Sequence, residues 1–137
     1  MTQEIISPFL DDDGGERSYY INGESRLYSA IRFRGRAMTY EERSAYNARI
    51  ENLDEEMASK LMLEELASRV VSWEFPGFEL PSRLKNPTYD AIRVLKPQLI
   101  GLIKTIVIFG TWGGHVDPDT GSSEQTADSA EAEQRGN

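Results

Sequence analysis

Apolar positions recur at close to helical spacing through residues 39–72, at Tyr46, Ile50, Leu53, Met57, Leu61, Leu66, Val70 and Trp73. No Gly or Pro interrupts this stretch. It opens on Thr39 with Glu42 three residues on, a capping-box pattern that satisfies two orphan backbone donors. Glu56 with Lys60, and Glu65 with Arg69, add charge pairs at four-residue spacing. The pattern predicts one long central helix of about 45 Å. Ahead of it, period two replaces the helical period. Residues 18–21 are rich in strand formers, Asn22-Gly23 supplies turn chemistry, and Leu27, Ile31 and Phe33 alternate with Arg32, Arg34 and Arg36. A short β-hairpin over residues 17–36 is expected.

After the helix, Trp73, Phe75 and Phe78 are punctuated by Pro76, Gly77 and Pro81, which cannot continue a helix. Residues 73–85 are expected to form an aromatic loop that folds back and buries Trp73 and Phe75, with an exposed aromatic recognition loop as the lesser alternative. Helical periodicity returns over 86–109, with Asn86 as N-cap and Pro87 at the first helical position. Pro97 either kinks this region or starts a new helix. Residues 99–109 are apolar except for Gly101, Lys104 and Thr105, and too short to span the roughly 30 Å hydrocarbon core of a bilayer. They form either a buried core helix or an apolar surface kept for a partner; residues 106–109 also have strand-like composition.

The ends differ from the middle. Residues 1–16 read as a flexible leader, with Ile5, Ile6, Phe9 and Leu10 as its only sticky part, and no secretory signal. Residues 111–137 carry no large apolar side chain after Val116 and read as a disordered acidic tail. The expected fold is therefore α+β, mainly α, with a single small domain over 17–110.

Charge refines this picture. The net charge of −8 disfavours a general nucleic-acid binder. Locally, residues 17–36 and 80–110 each carry +4, and residues 40–72 carry −4. Acidic and basic elements packing side by side account for this, with a basic face awaiting an acidic partner as the sharper alternative. Arg32, Arg34 and Arg36 could line a phosphate-binding stripe. The favoured reading is the solvated face of a half-buried strand, since no aromatic platform is interleaved there.

The candidate chemistry is sparse. The chain has no Cys and one His, His115, so neither a zinc site nor a Cys-His nucleophile can be assembled. Asp11, Asp12 and Asp13 are adjacent without spaced partner ligands, and Asp117, Asp119 and Glu124 lack calcium-loop spacing. No phosphate-cradling glycine motif or nucleophile elbow occurs. No enzyme activity, cofactor or metal is expected.

One order of features has a counterpart elsewhere. A strand with Ile31-Arg32-Phe33-Arg34 passes through Met38-Thr39-Tyr40-Glu41-Glu42-Arg43 into a long helix ending Leu66-Ala67-Ser68-Arg69-Val70-Val71-Ser72-Trp73. A loop with Leu80-Pro81 and a proline-marked helical segment follow. This resembles the small tail assembly chaperones of long-tailed bacteriophages. The resemblance implies a non-enzymatic assembly factor in the infected host's cytoplasm, absent from the mature virion. It would coat the tape-measure protein and help recruit tail-tube subunits. In that family a frameshift near the gene's end often yields a longer second product. Apolar contact area would come from Leu99, Leu102, Ile103, Ile106 and Phe109 with Trp73 and Phe75. A structural virion protein, such as a head-tail connector or minor tail subunit, and a small acidic regulator of a host protein are the other classes. Homo-oligomerisation stays open.

Overall fold

The computed structural model describes residues 15–111 together with Asp117 and Pro118. Three antiparallel strands form one sheet in the order β1 (Glu16–Ile21), β2 (Ile31–Arg36), β3 (Val70–Glu74). Between β2 and β3 lie α1 (Tyr40–Glu51) and α2 (Glu55–Arg69). A 3-10 turn (Ser82–Leu84), α3 (Tyr89–Ile92) and α4 (Pro97–Val107) follow. The α+β class holds, but "mainly α" does not, because helices take under half of the described residues.

In β2 the expected alternation is present. Ile31, Phe33 and Gly35 are buried, while Arg34 and Arg36 are exposed and Arg32 is half-buried. The strand is shorter than the sequence pattern suggested, and Leu27 lies outside it, exposed. Asn22-Gly23 is not a two-residue hairpin turn either. The β1–β2 connection spans residues 22–30 and makes its own turn, with the Leu27 amide donating to the Glu24 carbonyl (2.9 Å) and Arg26 left-handed at φ 69°. Gly23 is required there by a close approach, since a Cβ would sit 2.9 Å from the Ala30 nitrogen.

The predicted single helix over 39–72 is two helices and a strand. Its start is as expected: Thr39 Oγ1 accepts from the Glu42 amide (3.1 Å) and Glu42 Oε1 accepts from the Thr39 amide (3.0 Å). The break falls at residues 52–54 without any Gly or Pro. Asp54 leaves the helical conformation to cap α2, accepting from the Met57 amide at 2.8 Å, and Glu55 and Glu56 in the first turn favour the positive helix end. At the far end Val70 and Val71, both β-branched, leave the helix for β3. Phe33 pairs with Trp73 and Arg34 with Ser72, and the register shifts between Arg34 and Gly35. Trp73, expected in a loop, is thus a strand residue.

The C-terminal helical region also starts later than expected. Thr88, not Asn86, is the N-cap, its hydroxyl accepting from the Ala91 amide at 3.2 Å. Pro97 begins α4 as its first residue, so it separates two helices. The leader boundary shifts too: Gly15 is buried and Glu16 already belongs to β1, paired with Arg36. Residues 1–14, 112–116 and 119–137 lie outside the described residues.

The core lies between one face of the sheet and the helices. Tyr19, Ile21, Ile31, Phe33, Val70 and Trp73 meet Leu61 and Leu66 of α2, Ile92 of α3, and Leu99, Ile103, Ile106 and Val107 of α4. Tyr19 and Phe33 stack at 5.1 Å between ring centroids. The Met38 amide donates to the Val107 carbonyl at 2.7 Å, and Arg43 donates to the Phe109 carbonyl at 3.0 Å, tying the start of α1 to the end of α4.

Arg69 joins three elements. Its guanidinium donates to Glu42 of α1 (2.8 Å), to Glu65 of α2 (3.2 Å) and to the Arg36 carbonyl of β2 (3.4 Å). Burial works against the Arg69 charge, but its bonds to Glu42 and Glu65 outweigh that and hold the guanidinium above its usual range. The bond from Arg69, then the Thr39 amide, pull the Glu42 carboxyl from 4.5 down to about 2. A depressed carboxylate contributes stability above its unfolded value and loses it as pH falls through the folded one. The stability difference between the native chain and Glu42→Gln should therefore be full above pH 4.5 and shrink toward pH 2. Denaturant midpoints measured across that range check this; a constant difference contradicts it.

A candidate docking groove

The turn after β3 follows from its sequence. Pro76 and Gly77 occupy the two central positions, Gly77 is left-handed at φ 79°, and the Phe78 amide donates to the Phe75 carbonyl at 2.9 Å. Proline first and a left-handed glycine second make a type II turn. The turn directs the two flanking aromatics differently: Phe75 is buried and packs on Trp73 at 5.3 Å, while Phe78 is 59% exposed. The Trp73 indole N–H donates to the Leu84 carbonyl at 2.9 Å, which fixes the ring and holds the 3-10 turn over it.

Around this turn the chain leaves an open apolar groove of about 460 Å³. Trp73 and Phe75 form part of its lining. Leu27 and Tyr28 come from the β1–β2 connection, and Val94, Leu95 and Leu99 from the α3–α4 junction. Leu27, Phe78 and Val94 are all well exposed. Arg26 and Lys96 place positive charge beside the groove, with Glu24 as an acid near them. Covering half-exposed side chains of this size contributes about 1 kcal/mol apiece. This arrangement can hold an apolar segment of polypeptide.

The residues expected to form a partner surface are only partly gathered here. Trp73, Phe75 and Leu99 line the groove, although each is itself buried. Ile103 and Ile106 belong to the core, and Leu102 is half-buried against it. Phe109 is exposed, with the Lys104 ammonium 5.6 Å from its ring centre. The apolar stretch 99–109 is therefore chiefly a core helix in this fold. The sheet and α2 supply the cover that a partner was expected to supply. Leu27 and Val94 were missed, while the exposure of Phe78 agrees with the lesser reading of an exposed aromatic loop; its usable signal was Pro-Gly-Phe, which fixes a turn with an aromatic just beyond it.

Two arginines of the row, Arg32 and Arg34, meet carboxylates. Arg32 donates to Asp117, at 2.9 Å through Nη2, and to Glu74, and lies over the Tyr20 ring at 5.9 Å. Arg34 donates to Glu16 (3.0 Å) and to the Ser18 hydroxyl (2.8 Å). Asp117, expected in a disordered tail, is buried against Arg32. Among the described residues no cluster of His, Cys, Asp and Glu gathers that could hold a metal ion, and no helix is long and apolar enough to cross a membrane. His115 and the Asp11–13 triplet lie outside the described residues. Compared with protein-family models, with curated proteins and with solved structures, the chain matches none.

Proposed function

We propose that this chain is a non-enzymatic binding protein that takes an apolar segment of another polypeptide into the groove bordered by Leu27, Phe78 and Val94. With the resemblance described above, the client is the tape-measure protein of a long-tailed bacteriophage. The chain then acts as a tail assembly chaperone, keeping that client dissolved in the host cytoplasm and helping tail-tube subunits to reach it. The observation that supports binding is the groove itself, which joins exposed apolar side chains from three separate segments. The net charge of −8 supports solubility while apolar surface is open.

Co-expression with a tape-measure fragment tests the reading. The fragment should move from the pellet to the soluble fraction, and the double variant Leu27→Asp, Phe78→Asp should abolish that rescue while retaining its own fold. Unchanged fragment solubility with the native chain rejects the client assignment. Mass spectrometry of purified particles separates the main alternative, since a permanent virion subunit would be present in them at stoichiometric amounts.

A further inference from the structure

We infer that the groove also receives a second copy of this chain, through the corner where α1 meets α2, so that copies join head to tail. Exposed apolar side chains gather at two separate places among the described residues. One is the groove, with Leu27, Phe78 and Val94. The other is the corner, where Leu53 is 36% and Met57 48% exposed. These two line a hollow of about 360 Å³ together with the buried Leu61, and the flexible thioether of Met57 adapts to an irregular apolar surface. The two patches share no lining residue. One copy can therefore offer its corner while its own groove holds the next.

Their charges are opposite. Among the groove's lining residues and their exposed sequence neighbours, Arg26, Arg83, Lys85, Arg93 and Lys96 stand against Glu24, Glu79 and Asp90, a balance of +2. Glu74, between Trp73 and Phe75, is matched by Arg32. The corner, residues 49–64, carries Glu51, Asp54, Glu55, Glu56 and Glu64 against Arg49 and Lys60, a balance of −3. Opposite balances around two apolar centres draw groove to corner, and like balances oppose groove on groove and corner on corner. A contact between unlike patches is heterologous, so copies continue into a ring or an open row and do not stop at a pair. The apolar area is small, which places the contact in the weak, transient class, with association at roughly 0.1–1 mM protein. The inference goes beyond the client reading and does not need it. Where a client fills the groove, it competes with the next copy's corner.

Sedimentation equilibrium of the full chain over that concentration range tests this. The mean mass of the native protein should climb past that of two chains. Leu27→Asp with Phe78→Asp should stay at one chain, and so should Leu53→Asp with Met57→Asp. Mixed in equal amounts, these two variants should form a complex of two chains and no larger, because each keeps the patch that the other has lost. Arg26→Glu with Lys96→Glu alters only exposed charges and should also lose association while keeping the native thermal melt. A native protein that stays at one chain overturns the inference. So does one that stops at two chains, which identifies a two-fold pair. Self-association by either aspartate variant, a mixture without a complex, or unchanged association of the charge variant overturns it as well. Thermal melts show whether the aspartate variants stay folded. Where one does not, Glu55→Lys with Glu56→Lys replaces it at the corner, and its mixture with the Arg26→Glu, Lys96→Glu chain should associate although neither does alone.

Discussion

Ile103→Asp should abolish cooperative unfolding, while Leu102→Asp, one residue earlier on the same helix, should leave a cooperative transition at a lower midpoint. Ile103 is fully buried in the cluster formed by the sheet, α2 and α4. A carboxylate there either stays charged without a partner or is protonated and still polar. It also forfeits the apolar contacts of the native side chain. Losing an isoleucine side chain alone costs about 2–5 kcal/mol, against a total stability of about 5–15 kcal/mol for a domain. Leu102 is half-buried, so its replacement can turn toward water. Thermal melts followed by far-ultraviolet circular dichroism distinguish the two variants. Two equally mild variants would mean that α4 is not packed as described, and that the stretch 99–109 is free to serve a partner after all.

Arg69→Ala should lower stability by about 1–3 kcal/mol, the range for removing a charged hydrogen-bonding group from a mostly buried position. Its side chain is only 15% exposed, and it is the sole described group bonded at once to α1, α2 and β2. Removing it leaves Glu65, itself 20% exposed, with only the longer 3.7 Å pairing to Arg49 among its described ion pairs. Glu42 keeps its capping bond to Thr39 but loses the guanidinium that holds its carboxyl near 2. Arg69→Met retains the aliphatic packing and should recover part of the loss. Both variants should also lose the larger part of the acid-dependent component attributed to Glu42, the part that the Arg69 guanidinium supplies, and keep the part from the Thr39 amide. Denaturant midpoints at pH 7 and pH 3 measure all of this. A midpoint for Arg69→Ala that matches the native chain at pH 7 would reduce the network to an ordinary surface ion pair.

These two residues also mark how far local pattern reaches. Thr39 and Glu42 are three apart, and a capping box closes within one turn, so their pairing was legible in the sequence. The alternation of Ile31 and Phe33 with Arg32, Arg34 and Arg36 was legible for the same reason: successive strand side chains point to opposite faces. Burial of Trp73 and Phe75 followed from their size beside helix-breaking residues. Position 69 was legible only as the partner of Glu65, four residues away. Its bonds to Glu42 and to the Arg36 carbonyl join parts of the chain 27 and 33 residues apart.

By itself, then, the sequence determined the class of the fold, the strand face of β2, the cap that starts α1 and the proline that starts or kinks the last helix. Tertiary structure decided the rest. Val70 continues the apolar helical period, and its pairing with Gly35 of β2 adds to its β-branching to make it strand. The break at Asp54 became decisive once α2 had to turn back so that Arg69 meets Glu42. Whether residues 99–109 face a partner or the chain's own sheet depends on what lies opposite them. Apolar periodicity records which side of a segment avoids water, and the segment that covers that side comes from elsewhere in the chain.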